Sequence, residues 1–299
     1  MKKIILNGCS WVAGDEILWE QFLQEKGEDI NDPELKWVYS GTRPKHNAAL
    51  SKEYRIYRYQ YNQGGMLKNK LKTEVIDLAQ DGNSNDNICM STINEILNIP
   101  VEDRHNYHVI IGWTIKERKL LFLKEHGYWD NVHIAHVDQN STKWSPLKSR
   151  IIGTIIDETD NDWYINYVKN IMLLENFLKL NKMSYTFYRS LGSTDEFYDH
   201  DENKIYNLSK INLTITTDKA IKLNNILPSV ITDSTYWLTF FNEEQHKSLA
   251  SHSWTRYMQK TFQPEWQWYI SAENRHPNIK ATTILVDILK NHLITNNLL

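Results

Sequence analysis

The chain has 299 residues and a formal net charge of −3 at pH 7 with His neutral. A chain of this length can bury a sizeable core, and it is compatible with one large α/β domain that carries an insertion. Binding to nucleic-acid phosphates needs clustered Lys and Arg, so this charge predicts no nucleic-acid partner. The Arg/Tyr run at 54–61 is the local exception, and an edge strand or a solvated face is its simpler interpretation.

Cysteine content and hydropathy bear on the compartment. Cys9 and Cys89 are the only cysteines, so no disulfide framework is expected, and a reducing compartment, the cytoplasm, is predicted. The apolar run near the N-terminus is too short for a signal peptide, and we interpret it as a buried strand. No stretch approaches the roughly 18 apolar residues of a membrane span, so we expect a soluble protein with no membrane partner.

Short apolar runs alternate with helical patterns along the chain, which favours a mostly parallel sheet covered on both faces. Buried strands are predicted at 3–6, 75–78, 108–112 and 184–188. Helices are predicted after the first strand, around 66–71, after the turn at 79–87, at 162–180 and at 281–294.

Four segments fit this rhythm less well. Residues 27–63 are expected to form an irregular excursion, a helix is expected around 120–123, and a strand at 132–137. The segment 192–262 is polar and variable, and we interpret it as an insertion or lid within a single domain that spans 1–299.

Ser10 lies just past the first predicted strand, in the sequence Gly-Cys-Ser-Trp. The carboxyl ends of parallel strands face the ligand crevice, so a nucleophile is expected in such a loop. A Ser before a helix is also a common N-cap. Cys9 is a rival nucleophile, but a small buried role suits it better because neighbouring side chains of an extended segment point in opposite directions.

The second strand is followed by a similar loop that contains Gly82 and Asn85. The Gly82 backbone N–H could point at a developing oxyanion, and the Asn85 amide could add a second donor or cap the next helix. A phosphate cradle is the competing interpretation, but the loop lacks the Lys and Ser/Thr of a P-loop.

His276 lies immediately before the last helix, and Glu273 is three residues upstream. A serine nucleophile needs a base, and that imidazole needs an acid to fix its tautomer, so these two residues are the candidate base and acid. His133 and His136 have metal-like spacing only if they are helical, and their Val/Ile context predicts a strand. We therefore expect no metal and no other cofactor.

The order of these pieces resembles the SGNH/GDSL hydrolase superfamily, with blocks at Gly8-Cys9-Ser10, at Gly82, at Gly112-Trp113-Thr114 and at Glu273–His276. The resemblance implies a three-layer α/β/α fold with a mostly parallel flavodoxin-like sheet. It also implies a serine esterase with Ser10, His276 and Glu273 as the catalytic residues. Gly82, Asn85 and Thr114 would supply the oxyanion hole.

Three positions depart from the family pattern. Cys9 stands in place of the usual Asp of the first block, Thr114 in place of Asn, and Glu273 in place of Asp. Trp11 and Trp113 flank the loops and are candidate walls of the substrate pocket, with core packing as the alternative. An acetyl ester on a carbohydrate fits the aromatic-rich composition and the resemblance, and is the hypothesis for the substrate.

Two other functions fit the same residues. A non-catalytic SGNH-like module that binds a glycan or a protein is motivated by the changes at Thr114 and Glu273. An O-acyltransferase would use the same Ser and His to pass an acyl group to a sugar instead of to water.

Overall fold

The computed structural model describes residues 2–29, 48–115, 118–123, 128–133, 160–191, 236–238, 240, 253–262, 269 and 276–299. Three of the sequence predictions lie outside these residues, in whole or in large part. They concern Glu273, His136 and most of the proposed lid at 192–262.

A parallel sheet forms the centre of the molecule. The strands are β1 (Lys3–Gly8), β2 (Val75–Asp77), β3 (Tyr107–Trp113), β4 (Arg118–Leu123), β5 (Tyr128–His133) and β6 (Ser184–Arg189). Four of them pair in parallel in the order β2-β1-β3-β6, while β4 and β5 form a separate antiparallel hairpin.

Eight helices are described, and they are α1 (Ser10–Ala13), α2 (Trp19–Lys26), α3 (Ala48–Tyr59), α4 (Gln63–Leu71), α5 (Asn85–Leu97), α6 (Asp160–Leu180), α7 (Trp254–Thr261) and α8 (Ile279–Thr295). A 3-10 turn at Val101–Asn106 leads into β3. Helices thus follow or precede each strand of the parallel sheet, as α/β architecture requires.

Helices cover both faces of the sheet. On β1, Ile4 and Leu6 belong to the hydrophobic cluster that includes α4 and α8, whereas Ile5 belongs to the cluster that includes α5 and α6. On β3, Ile110 joins the first cluster while Val109 and Ile111 join the second. Because side chains alternate across a strand, a strand buried on both sides is apolar at most positions, and its buried polar side chains, Asn7 and His108 here, are hydrogen-bonded. This explains the continuous apolar runs in the sequence and confirms the predicted α/β class.

Three predictions about secondary structure are wrong. Residues 48–59, within the expected irregular excursion at 27–63, form helix α3. The segment expected to contain a helix around 120–123 is strand β4, whose backbone pairs with β5 from Arg118↔His133 to Leu123↔Tyr128. The Arg/Tyr run at 54–61 lies mainly in helix α3 instead of an edge strand. Tyr54, Arg58 and Tyr61 follow the helical period of three to four residues, and this period was the overlooked signal.

The described parts of the segment 192–262 belong to the core. The backbone of Phe187 in β6 donates to Tyr236 and accepts from Leu238, so Trp237 forms a parallel bridge at the edge of the sheet. Trp237 and Trp254 are fully buried. Within the described residues, no helix combines the length and the apolar character needed to cross a membrane.

Candidate active site

The carboxyl ends of the parallel strands place four loops at one edge of the sheet. Ser10 begins α1 after β1, Gly82 lies in the loop after β2, Thr114 follows β3, and Ser190 follows β6. This is the edge at which open α/β sheets bind ligands. A functional site is therefore expected where these loops meet.

Helix α1 lies unusually close to the strands beneath it. A Cβ on Gly8 would come within 2.2 Å of Val12 Cγ2, and a Cβ on Gly112 would come within 2.6 Å of the same atom. Gly8 and Gly112 are register partners on β1 and β3. Two neighbouring glycines therefore make room for Val12, and the close contact of Val12 with the sheet fixes the position of Ser10 two residues earlier.

Two polar side chains at the start of α4 hold the other side of α1. Asn62 donates to the carbonyl of Ala13 at 3.3 Å and to Asp77 Oδ2 at 2.9 Å. Gln63 donates to the carbonyl of Trp11 at 3.2 Å. Burial raises the pKa of Asp77 to about 6, although hydrogen bonds from the Ala79 N–H and Asn62 oppose this rise. These contacts tie α1 to β2 and to α4.

The structure brings Ser10 and His276 together, as the sequence predicts. Ser10 Oγ lies 3.1 Å from His276 Nε2 although 266 residues separate them. Ser10 is 4 % exposed and the His276 side chain 12 %, so the pair is largely shielded from bulk water. His276 lies just before α8. Asn278 is the N-cap of this helix, and the Asn278 side chain accepts a hydrogen bond from Ala281 N–H.

The carboxylate that contacts this imidazole is Glu16. His276 Nδ1 lies 2.9 Å from Glu16 Oε2. The Glu16 side chain is only 4 % exposed. Glu273, the acid predicted from the sequence, lies outside the described residues. Ser10, His276 and Glu16 thus form a continuous hydrogen-bonded chain of nucleophile, base and acid types.

Glu16 reaches this position through a strained backbone. Its φ is 64°, in the left-handed region that residues with a Cβ rarely occupy. The loop is closed by a backbone hydrogen bond from Asp15 N–H to the Ser10 carbonyl at 3.0 Å. Strain of this kind costs about 1–2 kcal/mol and concentrates at functional sites. The strained residue here is the one that contacts the histidine.

The loop after β2 approaches β1 just before Ser10. Gln80 N–H donates to the Gly8 carbonyl at 3.2 Å, and Asn83 Nδ2 donates to the same oxygen at 3.1 Å. Gly82 has a φ of +70°, and a Cβ placed on it would meet nothing within 4 Å. The positive φ therefore favours glycine at this exposed position, and the loop leaves space beside it.

Asn85 does not have the role predicted for it. Its Nδ2 donates to the carbonyls of Thr114 at 3.2 Å and Ile115 at 3.0 Å, and its Oδ1 accepts from Thr114 N–H at 3.0 Å. Both amide hydrogens are therefore engaged and are not left for an oxyanion. The helix cap is also a different residue, because the Ser84 side chain accepts from Asn87 N–H at the start of α5.

Thr114 is fully buried, and its hydroxyl has no hydrogen-bond partner among the described residues. A buried hydroxyl without a partner costs free energy, so its presence is unexplained by packing alone. Its backbone N–H is already bound to Asn85, so the hydroxyl is the only donor that Thr114 could offer.

The two candidate pocket tryptophans are core residues. Trp113 is fully buried and packs edge-on against Phe187 and Tyr167 at centroid distances of 5.5 and 6.3 Å. Trp11 is 4 % exposed and belongs to the cluster that packs against α4 and α8. Trp113 cannot line an accessible pocket because no part of it is exposed.

Cys9 is fully buried, with its Sγ 3.4 Å from Ser190 Oγ. It therefore lies in the interior below the loops, while Ser10 contacts the histidine. Among the described residues, no group of three or more His, Cys, Asp or Glu side chains could hold a metal ion.

Sequence reasoning missed an ion pair beside the site. Arg58 from α3 bridges Asp15, the neighbour of Glu16, and Asp81, the neighbour of Gly82. The sequence offered two signals for this ion pair. They are the acidic pair Asp15-Glu16, which follows α1, and Arg58, which continues the helical period of the Arg/Tyr run.

No protein-family model, curated protein or solved structure was found to match the chain.

Proposed function

We propose that the chain is a serine esterase of the SGNH type, in which Ser10 is the nucleophile, His276 the base and Glu16 the acid. The observation that carries this proposal is the hydrogen-bonded chain from Ser10 Oγ through both nitrogens of His276 to Glu16 Oε2. The SGNH assignment draws further support from the strand order β2-β1-β3-β6 and from the position of these residues at the carboxyl edge of the sheet.

The geometry assigns one tautomer to the resting imidazole. Glu16 accepts a hydrogen bond from Nδ1–H, which leaves the lone pair of Nε2 facing the Ser10 hydroxyl. His276 takes the hydroxyl proton through Nε2 as Ser10 Oγ attacks the ester carbonyl carbon. The resulting imidazolium is stabilised by Glu16, and it then gives its proton to the leaving alkoxide. Water releases the acyl group by the same sequence of steps.

The oxyanion is held by backbone N–H groups in this mechanism. Ser10 is the first residue of α1, where N–H groups have no partner within the helix. Gly82 lies in a loop bonded to the residue two positions before Ser10 and faces open space. Thr114 is excluded because its hydroxyl is fully buried, and Asn85 is excluded by its own hydrogen bonds.

The substrate class that fits is an ester with a small acyl group. The acetyl group is proposed from the resemblance to the SGNH/GDSL superfamily. The carbohydrate part of the substrate hypothesis has no support from Trp11 and Trp113, because both rings are buried. It rests on the resemblance and on composition.

The test uses a fluorophosphonate probe and p-nitrophenyl acetate with the wild type, Ser10→Ala and Cys9→Ala. Labelling and turnover should disappear with Ser10→Ala and persist with Cys9→Ala, since the Cys9 side chain lies in the core. Labelling that survives Ser10→Ala would contradict the assignment of the nucleophile.

A non-catalytic binding module is the second candidate. The engagement of both Asn85 amide hydrogens favours it, because an oxyanion hole that lacks one donor typically loses about a hundredfold or more in rate. A folded wild type that neither reacts with the probe nor turns over the ester would support this candidate.

A further inference from the structure

One buried cation lies between the two loops that carry the acid and the oxyanion glycine. Arg58 Nη1 donates to Asp15 Oδ1 at 2.6 Å, and Arg58 Nη2 donates to Asp81 Oδ1 at 3.2 Å. The side chains of Arg58 and Asp15 are each 7 % exposed and that of Asp81 is 13 % exposed. Asp15 directly precedes Glu16, and Asp81 directly precedes Gly82.

We propose that Arg58 is a positioning residue of this site, which holds the loop of Glu16 and the loop of Gly82 in a fixed relation to each other. The inference rests on the proposed esterase function, because it assigns Arg58 a role in that reaction. Arg58 acts through its two aspartates and does not itself contact Ser10 or His276 in this arrangement.

The chemistry of the guanidinium suits this role. Its planar fork offers separate N–H groups to two carboxylates at once, whereas the ammonium of lysine is a single compact donor. Arg58 lies with its Cζ 5.5 Å from the centre of the Tyr54 ring, a cation–π contact that also limits its movement. Burial opposes the charge on Arg58, but Asp81 and Asp15 outweigh that effect and raise its pKa above the usual value.

A purely stabilising role explains this ion pair less well. The desolvation of buried charges offsets much of their attraction, so a buried ion pair is weak evidence for stability. Its better-attested use is to fix one arrangement of the groups that it joins. Here those groups belong to loops after two different strands, and the strained Glu16 lies next to one end of the bridge.

The test compares Arg58→Lys with Arg104→Lys. Arg104 is a matched control because it is also buried, at 8 % exposure, and also donates two side-chain hydrogen bonds, to the Ile99 carbonyl and to Asn181 Oδ1. It lies before β3, at the opposite end of the sheet from the site. We expect Arg58→Lys to lower kcat for p-nitrophenyl acetate by about tenfold to a hundredfold with KM changed by less than about twofold. Arg104→Lys should leave both constants unchanged.

A double-mutant cycle with Glu16→Gln separates positioning from general loss of structure. If Arg58 acts by placing Glu16, the effect of Arg58→Lys on kcat should shrink to within about threefold in the Glu16→Gln background. The same cycle with Gly82→Ala tests the other arm of the bridge, through Asp81. An effect of Arg58→Lys that is equal in the wild-type, Glu16→Gln and Gly82→Ala backgrounds would assign Arg58 a structural role and overturn the proposal.

The remaining outcomes are also decisive. Should Arg58→Lys fail to fold, Asp81→Asn replaces it, with an expected kcat loss of about tenfold and unchanged KM, because one arm of the bridge is weakened. If the folded variant, Arg58→Lys or Asp81→Asn, has the kcat of the wild type, the positioning role of Arg58 is overturned but the esterase proposal is not. A wild type with no activity and no labelling overturns the esterase proposal and this inference with it.

Discussion

Glu16→Gln is the sharpest test of the site, because it removes the charge of the acid and keeps its size. The carboxylate oxygen lies 2.9 Å from His276 Nδ1, which places the two charge centres about 4 Å apart when the imidazole is protonated. At an effective dielectric constant of about 20, charges at that distance attract by about 4 kcal/mol. In the proposed mechanism this pair of charges develops in the transition state, so its loss raises the barrier and kcat should fall about a thousandfold.

The assay is steady-state hydrolysis of p-nitrophenyl acetate together with the rate of fluorophosphonate labelling. KM should change little, since Glu16 contacts the histidine and not the substrate. Glu20→Gln is the matched control, because this carboxylate lies four residues away on α2 and is exposed. Glu273→Gln is the second comparison. A large loss with Glu273→Gln and near wild-type kcat with Glu16→Gln would refute the assignment of the acid.

Two further predictions concern a glycine and a buried histidine. Gly82→Ala should lower kcat/KM by about tenfold or more, because the new methyl group enters the open space beside the proposed oxyanion donor. Gly27→Ala is the control, because Gly27 has a φ of +74° and is equally open. Each substitution should lower the free energy of unfolding by ~1 kcal/mol, but Gly27→Ala should leave the activity unchanged. Burial lowers the pKa of His108 from 6.5 to about 3, so its neutral form is favoured in the fold and the unfolded chain takes up the proton first as the pH falls. Stability should therefore decline below about pH 6.5, and this residue alone should remove about 2 kcal/mol between pH 8 and pH 5. In urea unfolding, the free energy of unfolding of His108→Gln should depend less steeply on pH than that of the wild type. An unchanged pH dependence would contradict the assignment of this effect to His108. His105→Gln, at an exposed position, should keep the pH dependence of the wild type.

The parallel strands could be predicted from sequence because burial on both faces leaves a strong local signal. Residues 75–78 and 108–112 are short, mostly apolar runs. The first contains strand β2, and the second lies within strand β3. The helix at 162–180 could be predicted for a similar reason, since its apolar stripe continues over many turns. The hairpin at 118–133 was missed because a short run of leucines fits a strand and a helix equally well, and its pairing partner lies in a neighbouring segment.

The site could be predicted only in part, and the division has a physical cause. Ser10 and His276 occupy loop positions that the order of strands and helices already indicates. Glu16 lies in a left-handed conformation that sequence usually marks with Gly or Asn, so nothing local indicated that its side chain turns back toward the nucleophile. Asn85 was misassigned because an amide in a loop can bind backbone carbonyls as readily as an oxyanion, and only the contact with Thr114 decides between them.

The origin of the three site residues explains how the site is completed. Ser10 and Glu16 are six residues apart on one short segment, which is closed by its own backbone hydrogen bonds and tied to Arg58 of α3 through Asp15. His276 comes from the far end of the chain, and its position depends on the packing of α8. Fully buried Leu285 and Leu289 anchor that helix in the hydrophobic cluster that also contains residues of β1 and α4. The docking of α8 is therefore the long-range step that converts a preformed pair of nucleophile and acid into a complete hydrogen-bonded chain.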